Sequence, residues 1–556
     1  MPALDASAVA RLLREFGQRT ALRGGNPFRA KAYARAADNL LALTLPLDEI
    51  IAHERLREIP GIGEAIADII KRLHETGTHP TLERMRAEMP ETTLELLAIP
   101  GLRPEKVIKL HRELGVSSLA ELEKAARAGR LNKVKGLGPA LAAKILQGIE
   151  IRRHAHGRRH LHRTAELLEA AERHLKAARL GIVRVTPAGE FRRGCELVGD
   201  LSLVAEVAEL PDGPERIAAS EQLTVHLTDA RRYGVTLLLA TGSPGHVAQL
   251  RKLAADRDMT LDEAGLRRGA EIVAAAHEDA VYGALGLPAI APELREGSDE
   301  VALALAGELP PLVTDADIRG ILHAHTDRSD GADALEAMAE ATRARGYGYF
   351  GVADHSRSAH YAGGLSLEEI TAQHEEIDRL NRKYRGRFRI FKGIESDILP
   401  DGSLDYPDEV LATFDFVVAS VHSRFKLDHD VQTERLIRAV ANPFTTILGH
   451  MTGRQLLRRP GYKIDVEQVL AACARHGVAV EINANPWRLD LDWRWHRKAL
   501  ELGCMMSINP DAHATEEIDL THWGVAMARK GGVPKARVLN CLSRREFAAY
   551  LRRRKP

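Results

Sequence analysis

Nine side chains between residues 323 and 513 are of the types that hold divalent metals. They are His323 and His325 in "HAH", Asp330 in "DRSDG", His355 in "ADHS", Glu395 in "GIES", His422 in "SVHS", His450 in "LGHM", and Asp511 with His513 in "PDAH". A lone histidine in such a place would be an ordinary hydrogen-bonded structural residue. Nine titratable groups converging without cations would cost much in desolvation and mutual repulsion. Mixed imidazole and carboxylate ligation suits Mn²⁺, Zn²⁺ or Fe²⁺ better than Ca²⁺. Two such ions lower the pKa of a shared water. The expected nucleophile is then a metal-bound hydroxide that attacks phosphorus in line, with a third ion free to stabilise the leaving oxygen. Arg424, Asn485 and Arg488 are candidate phosphate contacts, and Asp354, beside His355, is a candidate to orient a ligand imidazole. Loop packing or helix capping is an equal reading for these four.

The elements that must position these groups are short apolar runs separated by amphipathic stretches from Ile318 onward. They read "RGILHAHT", "YFGVADHS", "FRIFKGIESD", "FDFVVASVHS", "TTILGHMT", "VAVEINANP" and "CMMSINPDAH". Runs spaced by one strand-helix unit predict parallel strands in an α/β sheet or barrel, whose functional side chains gather at the strands' C-terminal ends. Six of these seven ends carry a candidate ligand.

The first 150 residues are helical in periodicity and poor in β-branched runs. Three segments there repeat one idea: "IPGIGEAIADII" from Ile59, "IPGLRPEKVIKL" from Ile99 and "VKGLGPALAAKIL" from Val134. Each makes a tight glycine turn between helices and points backbone N–H groups at the second helix's start, where a phosphate or a bridging monovalent cation can sit. A side chain there would hold the phosphate off. Gly61 with Gly63 and Gly136 with Gly138 keep both glycines, whereas the middle copy has Gly101 but Arg103. One copy would read as a capped αα-hairpin; three resemble helix-hairpin-helix motifs, which grip a DNA backbone without reading its sequence. The basic "RRHAHGRRHLHR" (152–163) adds either phosphate contacts or a solvated linker face.

The middle of the chain holds "GEFRRGCELVGDLSLV" (189–204), "LATGSPGHVAQLR" (239–251) and "APELREGSDEVALA" (291–304). With the hairpins and "NPFRAKAYARAADNL" (26–40) these segments, in this order, resemble the bacterial family-X DNA polymerases along nearly the whole chain. The nine ligand positions resemble the PHP (polymerase and histidinol phosphatase) domain of that family, with none replaced. The resemblance implies a multidomain protein: an α-helical helix-hairpin-helix region, an α/β nucleotidyltransferase palm with a thumb, and a C-terminal seven-stranded (β/α) PHP barrel. The expected limits are 1–80 and 81–160 for the helical domains, 161–250 for the palm, 251–312 for the thumb and 318–556 for the barrel. It also implies two or three divalent metals in the barrel, with 3′-to-5′ exonuclease and sometimes abasic-site endonuclease activity.

The family's polymerase site needs three carboxylates, and here the chain departs from it. Asp200 fills the first position, but Ser202 and His226 stand at the second and third. A hydroxyl and an imidazole are poor ligands for hard Mg²⁺. Glu190 follows Gly189 where the family has a serine for the triphosphate, and a carboxylate there is repulsive. Arg193 remains as a phosphate partner, while Leu239 and Ala240 replace the aromatic pair of the sugar pocket. The lyase lysine of some relatives falls on Ile69, with Lys71 out of register. These substitutions predict a kept fold and a lost polymerase.

Composition bounds the rest. A net charge of +1 excludes a wholly basic nucleic-acid protein without excluding basic faces. The four cysteines form no CxxC pair, so neither a disulfide framework nor a zinc finger is predicted. The polar start and the lack of a long apolar run predict a cytoplasmic monomer that acts on gapped, nicked or 3′-ended DNA and not at a membrane. The expected function is metal-dependent DNA hydrolysis. A gap-filling polymerase with proofreading, a non-catalytic DNA scaffold and a small-molecule phosphatase are the alternatives.

Overall fold

The computed structural model describes residues 4–24, 27–41, 47–59, 61–99, 102–155, 157–177, 181–208, 210, 215–218 and 223–554. Two helical cores come first. One joins Val9, Leu13 and Phe16 to Ile62, Ile70 and Leu82, and the next joins Leu94 and Leu110 to Leu131 and Ile145. Each predicted hairpin is closed by the same local bond, from Ile62 N–H to the Ile59 carbonyl, Leu102 to Ile99, and Leu137 to Val134. Gly61 (φ +78°) and Gly136 (φ +88°) are left-handed at these turns, which only glycine enters without strain. Gly63 and Arg103 precede the helices Glu64–Thr76 and Pro104–Leu114 without a side-chain cap, so first-turn N–H groups stay open. Gly138 opens onto the helix Pro139–Ala155. Gly101 lies outside the described residues. Ile69 is buried in the first core.

A mixed four-stranded sheet follows, with Leu201–Val207 between Ile182–Pro187 and Leu223–Thr228, and Glu215–Ala218 at the far edge. A small antiparallel three-stranded sheet (Thr260–Asp262, Gly265–Arg268, Glu271–Ala274) packs with neighbouring helices around Val235, Leu250 and Tyr282.

The seven predicted C-terminal strands all form. They are Gly320–Ala324, Tyr349–Val352, Arg389–Asp397, Phe416–Ser420, Ile447–Leu448, Ala479–Asn483 and Met506–Asn509, each parallel to the next in chain order. The His325 N–H donates to the Ala512 carbonyl at 2.8 Å and brings the first strand beside the last, nearly closing the barrel. The barrel's other end is plugged by aromatic rings. Phe547, on the helix Arg544–Arg554, stacks on Tyr349 (centroids 5.1 Å) and meets Phe391 edge-on (5.0 Å). Gly351 and Gly393 make room for Phe416, since a Cβ on Gly393 would come within 2.3 Å of its ring.

The barrel docks on the front half through charged and aromatic contacts. Lys530 donates to the Arg193 carbonyl (2.9 Å) and to Glu296, which also pairs with Arg193 (3.0 Å). Glu196 accepts from the Trp493 indole (3.0 Å) and from Arg494 (2.8 Å). From the basic run 152–163, His160 packs edge-on against Trp487 (4.3 Å) and meets the Leu456 carbonyl at 3.1 Å. That end of the run is therefore interface, not a solvated linker. No described helix is long and apolar enough to cross a membrane.

All four tryptophans (Trp487, Trp493, Trp495 and Trp523) belong to this last region, so tryptophan fluorescence reports on its unfolding and on its docking through Trp487 and Trp493. Phe547→Ala should lower its stability by about 3–5 kcal/mol in urea titrations read this way. A loss below about 1 kcal/mol would mean that the ring does not plug the barrel.

Candidate metal centre

The ligand side chains meet at the C-terminal mouth of the barrel because strand ends point there. His323 needs a further device. Ile321 and Ala324 pack outward against Leu335 and Met338, whereas Leu322 belongs to the inner core. Simple alternation would send His323 outward with Ile321. A register shift falls between Ile321 and Ala324, and His323 is left-handed (φ +54°), so the strand bulges and turns this imidazole inward. Asp511 is also left-handed (φ +53°). Strain of this kind persists only where the surroundings over-determine it.

All nine predicted ligands converge. Donor atoms of His325, Asp330, His355 and His513 lie within 4.8 Å of one another, as do those of His323, His450 and Asp511; of His323, His325 and Glu395; and of His355, Glu395 and His422. Glu395 is at the centre. Its carboxylate is 3.2 Å from His323, 3.7 Å from His325, 3.0 Å from His355, 3.3 Å from His422 and 3.0 Å from His450. Asp511 lies 3.1 Å from His325 and 3.6 Å from His323. Yet His323 Nε2, His325 Nδ1, His355 Nδ1, His450 Nδ1 and Glu395 Oε2 are buried without a hydrogen-bond partner. Buried polar atoms left so are costly unless a ligand completes them. The donor set therefore fits divalent metals.

The electrostatics agree. Burial would push His355, His422 and His513 down, but neighbouring carboxylates outweigh it. Glu395 and Asp330 lift His355 to about 10, Glu395 and Asp397 lift His422 to about 9, and Asp330 and Asp511 lift His513 to about 9. His325, buried and facing His355 and His513, is instead pushed down to about 3. Glu395 is buried but held well below the carboxylate range by His422, His323 and His355.

Two positioning carboxylates are absent from the sequence reading. Glu481 meets His323 Nδ1 at 2.5 Å and accepts the His450 backbone N–H at 2.7 Å, with Asn509 donating to it at 2.8 Å. Asp397 meets His422 Nδ1 at 2.6 Å. A fully buried glutamate in the apolar run "VAVEIN" was the available signal, and it fills the one strand that carries no candidate ligand. Asp354 does not orient an imidazole. It accepts from Thr326, Ser329 and Gln373, fixing the loop that carries Asp330. Asn485 Oδ1 accepts the Trp487 N–H at 3.1 Å and so caps its own turn. Arg488 Nε is 3.6 Å from Asp511, at the edge of the centre, and Arg424 is exposed in a left-handed turn (φ +57°) after His422.

The palm presents a cleft of about 680 Å³ lined by Glu190, Arg193, Asp200, Ser202 and His226 among others. Every group of three or more metal-ligating side chains found among the described residues lies in the barrel. The left-handed Gly189 packs on Ser202, where a Cβ would come within 3.2 Å of the serine Cβ. Glu190 turns back to accept the Gly199 N–H at 2.6 Å and to pair with Arg158 at 3.4 Å. Arg193 lines the cleft, but its guanidinium is spent on Glu296 and on the Thr241 carbonyl (2.8 Å). It braces the domain interface and is no ready phosphate partner.

Two outcomes follow for the metal-free protein. Glu481→Gln should weaken metal affinity by about 10- to 100-fold with the fold intact, read by equilibrium dialysis and circular dichroism. Metal uptake at pH 7 should expel protons, because His355, His422 and His513 carry them there and a metal ligand cannot. The release, read by calorimetry in buffers of different ionisation enthalpy, should fade as pH rises through about 9 to 10. Uptake with no proton release at pH 7 would contradict this reading.

Comparison with known proteins follows the same divisions. Residues 5–79 match a helix-hairpin-helix domain model, 93–150 a SAM-like helix-hairpin-helix tandem and 236–296 the DNA polymerase beta thumb. The DNA polymerase/3′-5′ exonuclease PolX of Bacillus subtilis (strain 168) is 35% identical over 570 residues, covering 98% of this chain and 99% of the relative. A probable phosphatase of Thermoanaerobacter sp. (strain X514) is 28% identical over 221 residues, 36% of this chain and 87% of the relative. One from Vibrio parahaemolyticus is 30% identical over 193 residues, 33% of this chain and 75% of the relative. Identity at that level across the whole length, with hairpins, thumb and barrel in the same order, means that the chain belongs to the PolX family of bacterial DNA polymerases/3′-5′ exonucleases.

Proposed function

We propose that this member acts as a metal-dependent DNA phosphodiesterase, removing nucleotides from 3′ ends and opening abasic sites, and that its palm holds DNA without extending it. The observation that carries this reading is the contrast between two sites in one chain. Nine ligands converge in the barrel, whereas Ser202 and His226 stand in the palm where carboxylates would be needed. Divalent ions in the barrel would supply Lewis acidity and an activated water near neutral pH. The chain's own residues do the rest. Glu481 and Asp397 fix the His323 and His422 rings, Glu395 gathers the imidazoles around one buried charge, and Arg488 offers a guanidinium beside Asp511 for a phosphate oxygen. The open first turns of the hairpins supply backbone N–H groups for duplex phosphates.

A second reading, a gap-filling polymerase with proofreading, is favoured by the activities in the Bacillus subtilis relative's name. One experiment separates the two. With Mn²⁺, a 5′-labelled primer on a gapped template and all four dNTPs, the primer should only shorten. His323→Ala/His325→Ala should abolish the shortening. Template-dependent growth of the primer would overturn the assignment of Ser202 and His226.

A further inference from the structure

Tyr361 is a large aromatic side chain that the fold leaves 73% exposed, at the lip of the metal centre. Its ring centroid is 6.3 Å from that of His355. The phenol is pushed up by partial desolvation and by the Asp397, Glu395 and Asp330 carboxylates, so the ring is neutral at physiological pH. An exposed ring forfeits the stabilisation that burial would bring and stays available to a ligand at the site.

The loop that presents Tyr361 is tied down on every side. Ser356 and Leu365 bridge across its base, and the Leu365 N–H donates to the His355 carbonyl at 2.9 Å. The Ser358 N–H donates to Asp405 at 2.6 Å and the Arg357 N–H to the Tyr406 hydroxyl at 3.0 Å. Ala359 and Ala362, on either side of the ring, are buried. Gly364 packs so closely that a Cβ would come within 1.9 Å of the Ser356 carbonyl. Gly363 is left-handed (φ +67°) and lies against Ser329, beside the Asp330 loop. The backbone that carries Tyr361 is therefore fixed, and it presents the ring beside His355 of the His325, Asp330, His355 and His513 group.

A phosphodiester lying on the ligand cluster carries a nucleoside on each side, and every base offers a π-face to a fixed aromatic ring. Arg488, 3.6 Å from Asp511, adds positive charge at the same mouth. We propose that Tyr361 is the platform on which the base of the departing 3′-terminal nucleotide stacks while its phosphodiester lies in the centre. This rests on the nuclease reading given above. Stacking of this kind tolerates all four bases and makes no hydrogen-bond demand, which suits an enzyme that must remove any terminal nucleotide.

The test uses the full chain with Mn²⁺ and single-stranded oligonucleotides ending in either adenosine or a baseless tetrahydrofuran unit. Tyr361→Ala should raise KM about tenfold on the adenosine end, with kcat little changed, and should leave the baseless end within about twofold of the unaltered protein. Tyr361→Phe and Tyr361→Trp should restore the adenosine value. Rapid mixing with 2-aminopurine at the 3′ end should show quenching before cleavage in the unaltered protein and not in Tyr361→Ala. Equal losses on both ends, or no change on either, would overturn the platform. If the unaltered protein cleaves neither oligonucleotide, the nuclease reading falls and the platform falls with it.

Discussion

The carboxylate of Glu395, buried and ringed by five imidazoles, is the interaction on which the C-terminal half depends. A carboxylate in so dry a place is tolerable only when positive charge surrounds it. Without metal, His323, His355 and His422 are raised enough to carry that charge as protons, and bound divalent ions would carry it instead. Strand ends deliver the rings, a bulge turns His323 inward against the ordinary alternation, and left-handed backbone at His323 and Asp511 is held by the Glu481, Asn483 and Asn509 network behind them.

The palm cleft of the front half is organised differently. The palm retains its cleft, its glycine turn and the arginine of its signature, but the polar groups have been put to internal use. Glu190 closes the turn before Asp200, and the buried Arg193 and Lys530 share the partly exposed Glu296. Removing one member of such a cluster leaves an uncompensated charge, which typically costs about 3–5 kcal/mol. These residues thus support the domain and its interface whatever chemistry the cleft performs.

Much of this was legible in the chain. The seven strands were visible as apolar runs, six of them ended by a candidate ligand, and the hairpins by their glycines, of which Gly61 and Gly136 are left-handed. The nine candidate ligands announced themselves by residue type, eight at those ends and Asp330 in the loop after the first. What stayed hidden depends on distances across the fold. Glu481 reads as one acid in an apolar strand until the barrel closes and brings His323 to it. Asp354 sits beside a ligand in sequence but points to Thr326 and Gln373 instead. The use of Arg193 by the interface cannot be inferred from a motif, because its partners lie 103 and 337 residues away.

The docking of the barrel also bears on how the chain can be dissected. Lys530, Arg494, Arg497 and Arg529 find their counter-charges in Glu296, Glu196, Asp299 and Glu293, all of them upstream of the barrel, and Trp487 and Trp493 are covered from the same side. A barrel severed at residue 318 would expose bare indole rings beside Lys530 and Arg529 stripped of their counter-charges, while Arg494 and Arg497 would keep Asp492 and Glu501. That combination is adhesive to any single strand, through phosphate charge and base stacking alike. The isolated domain would acquire an affinity for DNA that the intact protein keeps masked, and its behaviour would describe the cut as much as the enzyme.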